Sequence, residues 1–376
     1  MLFRSTSEWS ALAQALGFVP HAASAGFGLQ ASFRQLKRVL GPVAGPPPAW
    51  SHWLYGSHRG SEALVLLYET GSGSSRITST AVVVRIDPSL FLGASISQES
   101  MLSELFDGFD VQLGIPMFDE ALRLGALDRR RLVALLYPSD ARSTQLLQAL
   151  VRHTRAGMRV TDSTVTITLS GVVADPALIG QSLEHATWVA QELAHRRASM
   201  PATPEDSALR VAWEAHANSR GMEFDAGRMR MAGVVNGTRV EVALETNAAR
   251  IQTAVTVHWP QPLGVNVRLR KSSGLSLLGD LFVQDIDTDD PGFDQMFVIQ
   301  GSPEPWVRRV FAHPDLRAAL MSIAPQANEL TFNHSECFWL WPGALQTQRD
   351  LDAHVAMALR VSAALFGTVQ SSGPYR

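Results

Sequence analysis

Asp285–Gly301, DIDTDDPGFDQMFVIQG, has a weaker counterpart at Asp110–Gly125, DVQLGIPMFDEALRLG, and this pairing decides how the rest of the chain is read. In each stretch a Phe-Asp pair, Phe118-Asp119 or Phe293-Asp294, lies nine residues after an earlier aspartate and opens a short apolar run that ends in Gly. The chain reads as one domain written twice.

Working outward, the same order of landmarks recurs in both halves. Gly56 and Gly60 match Gly233 and Gly237, Glu69-Thr70 matches Glu245-Thr246, and TAVVV from Thr80 matches TAVTV from Thr253. Beyond the Phe-Asp element, Pro138 matches Pro314, the strand pair Met158 to Leu169 matches Leu330 to Trp341, and a helix closes each half, Pro176 to Arg197 and Gln348 to Phe366. A near-constant offset of roughly 170 to 177 positions is the signature of a tandem repeat. ASMPATPEDS has the composition of a linker. The expected organisation is a first copy over 1–199, a linker over 200–207 and a second copy over 208–376.

Strands come early and helices late in each copy, with hairpin-type connections. This pattern predicts an α+β fold of two similar tandem domains, each a mainly antiparallel sheet with helices packed on one face. No Gly-rich turn joins a strand to a helix in the way a dinucleotide site requires.

Composition bounds the function. The 376 residues are 46% hydrophobic, enough for two ordinary cores, and the formal net charge of -3 is spread over both halves, which argues against nucleic acid as a partner. Only Lys37 and Lys271 are lysines, a usage that fits a GC-rich bacterial genome and leaves almost no candidate for Schiff-base or P-loop chemistry. The single cysteine, Cys337, excludes an intramolecular disulfide and a multi-cysteine zinc site. Glu8 interrupts any signal-peptide core and no long apolar run occurs, so a cytoplasmic protein without membrane insertion is expected.

Three groups of residues could carry chemistry. Asp285, Asp287 and Asp289 sit at alternate positions like the first ligands of a calcium loop, but Asp290 stands where that loop needs Gly, and Met296 where it needs a bidentate Glu. Carboxylates so close must splay into solvent or hold a cation, so a solvated loop is the first reading and a divalent-cation site the alternative. Asp119 and Asp294, present in both copies, suit hydrogen bonding to a nearby turn, with the preceding Phe in the core. Trp50, Trp53 and Tyr55 form an aromatic group for which core packing is the first reading and a partner-binding surface the alternative, and Cys337, Trp339 and Trp341 share one face of a strand. His334 is three residues from Cys337 on what should be the other face, so the thiol reads as structural, and the remaining histidines lack a tight ligand spacing.

At the Phe-Asp element and the closing helices the chain resembles bacterial domain families of unknown function, in which a Gly-Asp-x-x-Phe-Asp-like segment precedes a strand and a terminal helix. That resemblance implies no site residues. The functional expectation is a non-catalytic protein-binding or adaptor protein acting through the cleft or edge between the copies, with no cofactor. The alternatives are a divalent-metal enzyme or calcium-responsive module at the acidic loop, and a small-molecule binding protein.

Overall fold

The computed structural model describes residues 6–22, 50–70, 77–98, 111–247, 250–261, 266–271, 286–302, 304–323, 329–332 and 336–371. It divides into two compact units, residues 1–201 with 246–250 and residues 202–245 with 251–376.

Unit 1 runs α1 (Thr6–Leu16), β1 (Val19–Ala22), β2 (Trp50–His58), β3 (Ser61–Thr70), β4 (Ile77–Arg85), β5 (Ser95–Gln98), α2 (Pro116–Asp119), β6 (Leu122–Gly125), α3 (Arg129–Leu136), α4 (Ala141–Thr154), β7 (Met158–Thr161), β8 (Thr164–Ser170) and α5 (Pro176–Ser199). Unit 2 repeats that order: α6 (Pro204–Arg220), β9 (Glu223–Asp225), β10 (Arg230–Val235), β11 (Thr238–Asn247), β12 (Arg250–His258), β13 (Asn266–Lys271), α7 (Pro291–Met296), β14 (Phe297–Ser302), α8 (Glu304–Phe311), α9 (Pro314–Ile323), β15 (Glu329–Phe332), β16 (Glu336–Pro342) and α10 (Gln348–Ser371). The sheets share one strand order, β1-β2-β3-β4-β8-β7-β5-β6 in unit 1 and β9-β10-β11-β12-β16-β15-β13-β14 in unit 2. This is an α+β architecture of two like units.

Local chemistry explains why the elements begin and end where they do. Each unit's second hairpin turns on two residues with positive φ, Arg59 (48°) and Gly60 (82°) or Asn236 (51°) and Gly237 (78°). Two consecutive left-handed residues make the type I′ turn that suits the twist of the flanking strands. Gly17 and Gly221, at φ 66° and 64°, end α1 and α6, and the following amides of Phe18 and Met222 reach back to the Ala13 and Ala217 carbonyls. A Cβ on Gly56 would run into the Phe18 ring, and one on Gly233 would lie 2.9 Å from the Met222 backbone, so the chain leaving each first helix needs a glycine in the strand beneath it.

The helices cover one face of each sheet. In unit 1, Ala63, Val65 and Leu67 of β3, Val82 and Val84 of β4, and Val165 and Ile167 of β8 meet Ile179, Leu183, Ala186 and Ala190 of α5 in a continuous core. Each large aliphatic side chain withdrawn from water in this way contributes about 1.5 to 3 kcal/mol. No helix among the described residues is long and apolar enough to cross a membrane.

The expected linker at 200–207 is shorter in the structure. Pro204 already occupies the first turn of α6, and Thr203 caps it in a reciprocal box with Asp206, leaving 200–203 as the connection. A Pro-acid sequence that reads as linker composition is also a favoured helix start, and here the cap decides.

Candidate functional site

The Phe-Asp elements form the same device in both units. Phe118 and Phe293 are buried, and the aspartate after each closes the preceding loop. Asp119 accepts hydrogen bonds from the amides of Leu113 (2.7 Å) and Ile115 (2.8 Å). Asp294 accepts from the Thr288 amide at 3.1 Å and from the Thr288 hydroxyl at 2.7 Å. The loops reach the outer edge of each sheet, where the Val111 amide donates to Leu124 and the Ile286 amide to Ile299. Both also pass through a left-handed residue, Gly114 at φ 75° and Asp289 at φ 62°. These carboxylates hold backbone donors, which is a structural role.

The described part of the acidic loop pairs some of its charge with arginine. Asp285 lies outside the described residues, while Asp287 and Asp289 are exposed. Asp290 caps α7 through the Gly292 and Phe293 amides and stands 3.2 Å from Arg317. Arg308 donates to the Asp287 carbonyl and pairs with Glu304 at 2.9 Å. The hydrogen bond to Glu304, with the charges of Glu304, Asp289 and Asp287, holds that guanidinium above its ordinary pKa. Arg308 and Arg317 thus bring positive charge to this loop. Among the described residues no group of three His, Cys, Asp or Glu side chains is placed to hold a metal.

The aromatic group is split by the strand that carries it. Trp53 is 2% exposed and belongs to the core, in line with the first of its two readings and not with the partner-surface one. Tyr55 is half-buried and donates to Glu62 (3.1 Å), which pairs with Arg85; burial and then the Glu62 charge raise the phenol pKa. The side chain of Trp50 lies outside the described residues. In unit 2, Cys337 is buried, Trp339 and Trp341 stack at 5.6 Å, and His354 meets Trp341 edge-on at 5.1 Å. His334 lies outside the described residues.

Several groups escaped the sequence reading because their partners are distant in the chain. The rings of His153 and His185 stack at 4.2 Å between α4 and α5. Burial, then the charges of His185 and Arg152, lower the pKa of His153. In unit 2 the fully buried His216 approaches Asp352 at 3.2 Å, and Arg220 shares the same carboxylate oxygen at 2.9 Å. On β7, Arg159 is withdrawn from water enough to lower its pKa by desolvation. Finally, α3 presents Arg129 and Arg130 to solvent between exposed Leu127 and Tyr137. The RRR run at 129–131 was the visible signal for that surface; its apolar flanks were not.

No family model matches the chain, and no curated protein matches it. Among solved structures the chain is similar to the mycobacterial trehalose monomycolate transport factor A, TtfA, at 13% identity and a TM-score of 0.33, with 45% of this chain and 98% of that chain covered. A likeness at that level assigns no property to this chain.

Proposed function

We propose that this is a non-catalytic protein-binding or adaptor protein, built by tandem duplication, whose docking surface is the solvent face of α3 in unit 1. The matched strand orders support the duplication. The exposed patch supports the docking.

One observation carries the reading. Arg130, Ala134 and Tyr137 follow one another at helical spacing and are exposed, with Arg129 and Leu127 beside them. Tyrosine and arginine beside exposed aliphatic surface is the composition of binding hot spots. Between Leu127 and Arg142 the chain carries four arginines and two aspartates. Both aspartates cap helices: Asp128 accepts the Arg131 amide, and Asp140 accepts the Ser143 amide. In unit 2 the matching helix α8 begins Glu304-Pro305, and Ala312 follows it where Tyr137 follows α3. The scaffold therefore does not require this surface, and its charge selects an acidic partner with an apolar anchor.

The test is affinity purification from the native host after crosslinking, followed by calorimetry with the recovered partner. The triple variant Arg129→Glu, Arg130→Glu, Tyr137→Ala should weaken that binding about tenfold or more, the equivalent of ~1.4 kcal/mol. A control with Glu304→Arg and Ala312→Tyr in unit 2 should bind as the wild type does. Equal binding by the triple variant would remove the proposal.

A further inference from the structure

We propose that unit 1 holds an oxyanion, a carboxylate or a phosphate, on the sheet face turned away from α4 and α5, between Arg159 of β7, Thr166 of β8 and Ser97 of β5. This site goes beyond the docking surface and shares no residue with it.

Strand alternation sets the face. Ile96, Leu122, Leu124, Met158, Val160, Val165 and Ile167 all enter the core shared with α4 and α5. Their alternates Ser95, Ser97, Arg123, Arg159 and Thr166 therefore stand on the opposite face. Register brings them together: Arg159 is directly opposite Thr166, Ser97 is opposite Arg123, and the pairing of Ile96 with Val160 sets Ser97 across from Arg159, with β5 between β6 and β7.

Two polar atoms in this group are buried without a hydrogen-bond partner among the described residues: Arg159 Nε and Thr166 Oγ1. Ser97 and Thr166 are each 3% exposed. Arg159 forms no ion pair with any described carboxylate, and desolvation alone lowers its pKa, with no acid acting in the other direction. A guanidinium taken out of water without a counter-charge is costly, and the cost is offset when an anion is bound. All three groups can donate, and a guanidinium fork beside hydroxyls is the arrangement that recognises carboxylate or phosphate oxygens. Arg159 by itself balances a carboxylate, and Arg123 of β6, opposite Ser97, adds the second charge that suits a phosphate. The fold does not demand these residues. In unit 2 the same hairpin positions of β15 and β16 hold Thr331 and Phe338, again directly opposite one another.

Thermal denaturation and calorimetry would be run on the full chain with inorganic phosphate and with succinate, at constant ionic strength against chloride. The wild type should show a saturable rise in Tm and saturable heat with one of the two anions, and the responding anion identifies the class. Arg159→Met should abolish the response and, without anion, be at least as stable as the wild type, because an unpaired buried charge has been removed. A structural arginine would give the opposite sign. Thr166→Val should weaken the response while preserving the fold, and it carries the ligand test should Arg159→Met fail to fold. The α3 triple variant should retain the anion response in full. The inference is overturned by the absence of saturation with either anion, by a response that survives Arg159→Met, or by destabilisation of Arg159→Met in anion-free buffer.

Discussion

Unit 2 buries His216, Trp339 and Trp341 at the places where unit 1 has Leu12, Ile167 and Leu169. The equivalences are positional. Leu12 and His216 each stand five residues before the glycine that ends the first helix, and Leu169 and Trp341 each pair with the first threonine of the matching TAV segment, Thr80 or Thr253. Around these exchanges the hydrogen bonding is conserved. Thr80 Oγ1 donates to Gly171 at 2.8 Å and accepts the Val173 amide at 2.9 Å; Thr253 Oγ1 donates to Gly343 and accepts the Leu345 amide, both at 3.0 Å. Caps, turns and edge clamps specify this fold, and the core layer between sheet and closing helix tolerates a change from aliphatic to aromatic and polar chemistry. Core volume and patterning can vary where the backbone frame is kept.

If the clamps specify the frame, breaking them should injure the two units in parallel. Phe118→Ala and Phe293→Ala carry the largest expected effect, about 3 to 5 kcal/mol each on the unit concerned. The unit 2 variant should lie at the upper end, because Phe293 also meets Phe297 at 4.8 Å and Phe311 at 6.0 Å. Asp119→Ala and Asp294→Ala come next, at about 2 kcal/mol each, since each leaves donors of its loop without their carboxylate. Hydrogen exchange read separately over 111–199 and 286–371 gives the loss in each unit. A clamp variant that opens one unit and leaves the other's counterpart unaffected would break the comparison.

The parts of this frame that could be read from sequence are those set by neighbours in the chain. Gly60 and Gly237 are legible because a two-residue turn with positive φ requires them, and Phe118-Asp119 because the aspartate closes a loop only six residues back. The alternation of Cys337, Trp339 and Trp341 is likewise local. What escaped depends on register between distant strands. Trp53 stood between core packing and a partner-binding surface because nothing nearby in sequence shows that it is buried. The sequence left Asp287 between a solvated loop and a cation ligand, because Arg308, which meets its carbonyl, lies 21 residues away. Arg159 carries no signal of its own in the sequence, because its place beside Ser97 and Thr166 is set by the pairing of β7 with both β5 and β8.

The smallest expected effect sharpens the comparison between the interiors. His216 is fully buried, and desolvation, its largest influence, lowers its pKa from the ordinary 6.5 against the opposing pull of Asp352. The neutral ring is therefore favoured in the native state, while the unfolded chain takes up a proton as pH falls through about 6.5. Over the window from there down to the lowered native value, unfolding binds protons and unit 2 loses stability, by at most about 1.4 kcal/mol for each pH unit of the window. His216→Leu, which installs the residue that unit 1 has at this position, should flatten the decline in hydrogen-exchange protection of unit 2 between pH 7 and 5. Unit 1 should still decline in that variant, because burial also lowers the pKa of His153, stacked on His185. If unit 2 of His216→Leu kept the wild-type pH dependence, His216 would not be the titrating group, and the polar exchange in its core would have no bearing on stability.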